Sequence, residues 1–170
     1  LDPQASLAAL APVTLLVHKP AGVPTASPDL LAPERHFTPQ PAGAPPLKAH
    51  LRQQACVTPL GTEASGLVVF TQDPRIRRKL LDDAALLEHE VMVDVRGAVT
   101  PDTLAALNAV PLIDGHPMPP AKVSISRQSG ELTGLRFALK GERPGQIARM
   151  CESAGLRVVA TRRIRVGRLP

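Results

Sequence analysis

Thr58-Pro59-Leu60-Gly61-Thr62-Glu63-Ala64-Ser65-Gly66-Leu67-Val68-Val69-Phe70 is the stretch on which the reading of this chain turns. It begins as a turn and ends in an apolar, β-branched run, Leu67 to Thr71, that predicts a strand. Asp73-Pro74 then opens a helix, with the carboxylate as cap and the proline at the first helical position. That helix carries Arg75, Arg77, Arg78 and Lys79 beside Ile76, Leu80 and Leu81. Such a face is either a solvated basic surface over a packed stripe or an RNA-facing patch.

Upstream, Val13 to Lys19 reads as a strand entering a turn at His18-Lys19-Pro20-Ala21-Gly22. Pro24 to Pro46 is rich in Pro, Ala and Gly and reads as a long loop, while Leu47 to Cys56 predicts a short helix with Leu47, Leu51 and Ala55 on one face. Downstream, His89 to Arg96 alternates as a strand, and Thr100-Pro101-Asp102 opens a second helix through Asn108. Pro117 to Pro120 is a turn, and Ala121 to Ser126 and Leu132 to Leu139 are strands joined through Gln128-Ser129-Gly130. Pro144 to Ala154 is a helix with Ile147, Met150, Cys151 and Ala154 on one face and Gly155 just beyond its end. Val158 to Val166 closes the chain as a strand whose alternation puts Arg163 and Arg165 on one face and Ile164 and Val166 on the other. Strands interspersed with helices, without a regular strand-and-crossover rhythm, predict an α+β fold with a largely antiparallel sheet. The 170 residues suit one domain, or two small lobes sharing a sheet.

Composition narrows the partners. The 20 Lys and Arg residues against 15 Asp and Glu residues give a net charge of +5, which favours an anionic partner, nucleic acid first. The chain has no Tyr or Trp, and Phe37, Phe70 and Phe137 are its aromatics. That excludes the base-stacking platforms of RRM and OB modules, so RNA binding must run through backbone contacts and shape. Cys56 and Cys151 read as buried free thiols of a cytosolic protein, and His18, His36, His50, His89 and His116 lack metal-ligand spacing, so no metal is expected. No apolar run is long enough to cross a membrane. Leu1 to Val17 is apolar, but Asp2 and Gln4 stand where a secretion signal has a basic start, which leaves the cytoplasm as the expected compartment. The chain does not begin with methionine and is read as a fragment or a trimmed form. Nucleotide-binding glycine loops, HExxH and GxSxG are missing from the sequence.

Four stretches, in order, resemble one family, the pseudouridine synthases of the RsuA/RluF type. Leu15 to Val23 is similar to the family's opening Leu-x-Asn-Lys-Pro-x-Gly-Val strand and turn. Thr58 to Phe70 resembles Gly-Arg-Leu-Asp-x-x-Thr-Ser-Gly-Leu and its apolar continuation. Glu88 to Val95 resembles Glu-Lys-x-Tyr-x-Val, and Asp114-Gly115 with Pro120-Ala121-Lys122-Val123 matches a following turn and strand. Glu142 to Met150 stands where the family has Gly-Arg-Asn-Arg-Gln-Val-Arg-Arg-Met, and Arg163 to Leu169 follows in place. The resemblance spans nearly the whole chain and implies a mixed, largely antiparallel sheet flanked by helices around a central cleft. The family often adds a small N-terminal RNA-binding module, and nothing in the sequence corresponds to it.

The resemblance implies a cofactor-free reaction in which uracil is detached from ribose, turned and rejoined through carbon. An aspartate acts at the sugar or base, a tyrosine packs on the flipped base, and a basic residue pairs with the aspartate. A flipped base needs a shaped pocket, and the carboxylate must be kept ionised at attack distance. This chain departs at each position: the aspartate is Gly61, the tyrosine is Val91, and the arginine after Gln-Val is Ala148. The expectation is an RNA-binding protein with this scaffold, impaired in catalysis, that holds structured RNA, ribosomal RNA first. Lys19, Arg143, Gln146, Arg149, Arg163 and Arg165 are its expected RNA-contact residues. The alternatives are an active enzyme using a displaced carboxylate such as Glu63, and a structural remnant without RNA affinity.

Overall fold

Val91, Val93 and Val95 alternate with Glu90, Met92 and Asp94, and this period of two builds the strand at the centre of the molecule. The three valines are almost wholly buried, so the strand turns one face to a core and the other outward. A computed structural model describes residues 10–37, 47–113, 115–143 and 145–169. Residues 38–46 of the expected long loop, together with Asp114 and Pro144, lie outside the described residues.

In chain order the strands are β1 (Thr14–Lys19), β2 (Ala55–Cys56), β3 (Ser65–Thr71), β4 (Glu88–Arg96), β5 (Leu112–Ile113), β6 (His116–Pro117), β7 (Ala121–Ser129), β8 (Leu132–Lys140) and β9 (Arg157–Val166). The helices are α1 (Pro74–Asp82), α2 (Pro101–Asn108) and α3 (Gln146–Ser153). Seven strands form one sheet in the order β1-β3-β9-β4-β8-β7, with β2 beside β3. Neighbours are antiparallel except β3 and β9, which run parallel. The fold is thus the mixed, largely antiparallel α+β sheet that the sequence predicts.

The cap residues behave as expected. The Asp73 carboxylate accepts from the Arg75 amide at 2.8 Å, and the Thr100 hydroxyl accepts from the Thr103 amide at 3.1 Å. The hairpin is longer and tighter than predicted: Ser129 pairs with Leu132, leaving Gly130 and Glu131 as a two-residue turn. The expected helix over Leu47 to Cys56 does not form. A single 3-10 turn, Lys48–Leu51, is followed by β2. The Gln72 side-chain amide donates to the Ala49 and Arg52 carbonyls, and the Gln54 amide donates to the His50 carbonyl. Those carbonyls are therefore engaged by side chains, and the Val57 amide pairs with the Val69 carbonyl instead of a helical partner.

The second difference lies in β9. Glu90 pairs with Arg165 but Val91 pairs with Arg163, so a bulge at Ile164 absorbs one residue. The bulge breaks the alternation, and Arg163 and Arg165 end on opposite faces rather than sharing one.

Two apolar clusters sit on the same face of the sheet, hereafter the inner face. The larger joins Val91, Val93, Val95, Leu135, Phe137 and Leu139 to Leu107 of α2 and Ile147, Met150 and Cys151 of α3. The smaller joins Val68 and Phe70 to Leu15 and Val17 and is roofed by Leu30 from a 3-10 turn, Pro28–Leu31. Each fully buried valine or leucine contributes about 1.5–3 kcal/mol. The halves meet at the β3–β9 junction, where the register is Ser65 with Arg162 and Gly66 with Arg163. Gly66 has φ of +112°, and a Cβ there would lie 2.1 Å from the Arg163 carbonyl oxygen. Glycine is the residue that both the torsion and the approach permit. Among the described residues no helix is long and apolar enough to cross a membrane.

Two outcomes follow from this packing. Gly66→Ala will lower stability by about 3 kcal/mol or more, because backbone must move on both strands; a urea midpoint near that of the parent would refute the tight junction. Burial pushes the Cys151 thiol up to about 11. A raised folded-state value means that thiolate forms first in the unfolded chain. Stability is therefore complete below the free-thiol range and falls as pH rises from about 9 to about 11, by up to ~3 kcal/mol. Urea melts across that range should show a decline that Cys151→Ala removes.

Candidate functional site

The cleft that the resemblance implies would lie on the inner face at the seam between the two clusters, beside the loop that carries Gly61, whereas a cavity among the described residues lies apart from it, between α2 and α3. Each anchor of that loop is a polar group reaching a backbone partner. The Lys19 ammonium donates to the carbonyls of Pro20, Val23 and Thr62 at 3.0, 2.6 and 2.9 Å. The Gly22 amide donates to the same Thr62 carbonyl at 2.9 Å. The Thr25 hydroxyl donates to the Leu60 carbonyl at 2.7 Å and accepts from the Leu60 amide at 3.1 Å. Arg163 donates through Nη2 to the Thr58 carbonyl and through Nε to the Leu67 carbonyl at 2.9 Å. The loop is thus pinned at Thr58, Leu60 and Thr62, on both sides of position 61.

At that position nothing lies within 4 Å of where a Cβ would stand, and φ is not positive. The frame for a side chain is present, and the residue supplies none. Val91, where the resemblance places the tyrosine, is buried in the larger cluster beside Phe137 and Arg163. Ala148, on α3, is exposed and carries no charge.

The expected RNA-contact residues divide into three groups. Lys19, Gln146 and Arg163 point inward and are used by the protein itself. Lys19 is fully buried on its three carbonyls, and burial lowers its pKa against the opposing pull of Glu63. Gln146 is 1% exposed, donates to the Pro119 carbonyl at 2.9 Å and accepts from the Arg143 amide at 3.2 Å. Arg163 is 4% exposed; desolvation lowers its pKa, and Glu142 and then Cys56 act in the opposite sense. Arg143 and Arg149 face solvent. Arg165 turns to the other face, where it pairs with Glu88 and Glu90.

One pair near Arg163 was not read as functional from the sequence. The Glu142 carboxylate lies 3.2 Å from His89 Nδ1, both are largely buried, and Glu142 also acts electrostatically on Arg163. Glu142 belongs to the segment aligned with the family's Gly-Arg-Asn-Arg motif, but its partner is 53 residues away in sequence, so no local spacing announces it. Glu63, the expected substitute acid, is exposed on the loop beyond Gly61 and sits near the Lys19 ammonium. Among the described residues no three His, Cys, Asp or Glu side chains gather into a metal-binding group.

Lys19→Met keeps the bulk of the side chain but leaves the carbonyls of Pro20, Val23 and Thr62 without their shared donor. Stability should fall by about 2–4 kcal/mol. A denaturation midpoint unchanged from the parent would show that the ammonium does not hold the loop.

Residues 13–92 match the family described as RNA pseudouridylate synthase. The ribosomal large subunit pseudouridine synthase B of Pseudomonas aeruginosa is 32% identical over 114 residues, which is 64% of this chain and 28% of that protein. The chain therefore spans well under half the length of this curated relative. A crystal structure of a pseudouridylate synthase superposes with a TM-score of 0.70 at 20% identity, covering 92% of this chain and 64% of the other. A chain of the archaeal box H/ACA sRNP Nop10–Cbf5 complex superposes with a TM-score of 0.61 at 15% identity, covering 92% of this chain and 48% of that one. The strand and turn of β1, the loop around Gly61 and β3 all fall inside the matched segment, and the superpositions show that the chain shares the fold of the solved pseudouridylate synthase.

Proposed function

We propose that this protein binds structured RNA, ribosomal RNA first, on a pseudouridine synthase scaffold that no longer isomerises uridine, and that it does so in the cytoplasm. The observation that carries the proposal is the pinned loop at position 61. Four separate groups hold its backbone, yet the residue at its centre has no side chain. A nucleophile or base cannot be replaced by backbone, and removing one costs several orders of magnitude in rate. Val91 leaves no ring to stack on a flipped base, and Ala148 leaves no guanidinium at the position where the resemblance has one. A relative named as a ribosomal large subunit pseudouridine synthase supports the choice of RNA, as does the net charge of +5.

A second reading is favoured by a specific observation, the carboxylates that remain near the cleft. Glu142 is held by His89, and Glu63 lies two residues past Gly61. Either could act only if re-aimed at the sugar or base, and a misplacement of about 1 Å can cost a hundredfold in rate.

Filter binding and pseudouridine mapping on ribosomal RNA separate these readings. The expected result is RNA binding with a steep salt dependence, without pseudouridine above background. Gly61→Asp should fold with a stability change within about 0.5 kcal/mol, because the site is exposed and open. Pseudouridine formed by the parent protein and lost in Glu63→Gln or Glu142→Gln would overturn the inactive reading. Affinity no better than that of a charge-matched control protein would overturn RNA binding.

A further inference from the structure

The sheet has an outer face that the cleft does not use. There the side chains of four strands stand in cross-strand rows. Arg165, Glu90, Ala138 and Lys122 form one row; Arg162, Met92, Arg136 and Ser124 form the next; Ala160, Asp94, Gly134 and Arg127 form a third. The rows are open: Lys122, Ser124, Arg127, Arg136, Ala160 and Arg162 are all exposed, while α2 and α3 place their apolar residues on the inner face.

The carboxylates on this face are already matched. Glu88 pairs with Arg165, Glu90 with Arg136 and Arg165, and Asp94 with Arg127, whose Nη2 lies 2.8 Å from both carboxylate oxygens. Arg127 reaches Asp94 by lying across Gly134, where a Cβ would come within 2.6 Å of Arg127 Cγ. After that matching, Lys122, Lys140 and Arg162 have neither a carboxylate nor a hydrogen-bond acceptor among the described residues. Arg96 and Arg157 stand directly opposite each other at the end of the same face, both exposed and likewise unmatched. Like charges facing across a ladder are destabilising, and an anion between them would relieve the repulsion.

We propose that this outer face is a second RNA-contact surface, which binds the phosphate backbone of a double-helical RNA segment while the cleft faces another part of the same molecule. The proposal rests on the reading of the protein as an RNA binder and extends it to the opposite side of the sheet. Charge favours a polyanion, since every carboxylate on the face is already paired and the unpaired groups are all cationic. The chemistry excludes base stacking here: Phe70 and Phe137 are buried on the inner face. It also disfavours a protein partner. Protein interfaces are built on a desolvated apolar centre with aromatic anchors, and the large apolar residue in these three rows is Met92, half-buried. Contacts of this kind recognise backbone and shape, not sequence.

The test uses the whole chain and a stem–loop RNA with a continuous helical stem, bound over a series of KCl concentrations. The triple variant Lys122→Ala, Lys140→Ala, Arg162→Ala changes exposed side chains, so its thermal midpoint should stay near the parent's. Its affinity should drop on the order of tenfold or more, and its salt slope should shrink by about 2–3, roughly one unit for each lost phosphate contact. If the parent binds the stem–loop and the triple variant binds with the same affinity and slope, the second surface is refuted while RNA binding by the cleft stands. If the parent fails to bind the stem–loop at low salt, the parent reading and this one fall together. If the triple variant instead loses capture of an acidic protein with RNA affinity intact, the face serves a protein and the proposal is overturned.

Discussion

The close approach of β3 and β9 is the constraint on which the rest of this structure depends. Two register pairs join the halves of the sheet in parallel, and one of them is possible because Gly66 has no Cβ. Arg163, the partner of Gly66, sends its guanidinium back to the carbonyls of Leu67 and Thr58. Burying a guanidinium is costly, and desolvation lowers its pKa accordingly. Two carbonyls and the nearby Glu142 offset that cost in part. One glycine and one arginine therefore align the two apolar clusters and fix where the loop after Thr58 begins.

That loop shows how far scaffold and chemistry can separate. Its position depends on Lys19, Gly22, Thr25 and Arg163, and none of these contacts uses the side chain at residue 61. A glycine at residue 61 removes no fastener, so the fold carries no penalty for the absent side chain. The converse holds for Val91. A buried valine fits the larger cluster, where a polar ring would need a partner for its hydroxyl.

The two faces of the sheet answer to different physics. The inner face is apolar where α2, α3 and the 3-10 turns cover it, and polar only along the seam. Across β4, β7, β8 and β9 the outer face is a lattice of guanidinium–carboxylate pairs with cations left over. Individually such exposed pairs add little stability. Their spacing across neighbouring strands does hold arginine side chains in fixed directions, which is what a backbone-reading surface requires.

Much of the fold was legible in the sequence. Alternating valines, proline after a capping residue, and the small hairpin turn announce β4, α1, α2 and the β7–β8 pair, because these depend on residues close in the chain. The reading failed where a distant group intervened. Leu47 to Cys56 has helical spacing, but Gln54 and Gln72 take the carbonyls a helix would use. Arg163 and Arg165 alternate as if on one face, but a bulge that registers with Glu90 and Val91 separates them. The candidate site followed the same rule. The glycine at position 61 and the order of the four quoted stretches were fixed by the chain alone, since they are matters of identity and spacing. Whether a cation meets solvent or is buried on carbonyls was decided by the tertiary structure. Lys19, Gln146 and Arg163 are drawn inward because folding brings backbone acceptors from remote segments within hydrogen-bond reach, and sequence carries the charge of a side chain without the address of its partner.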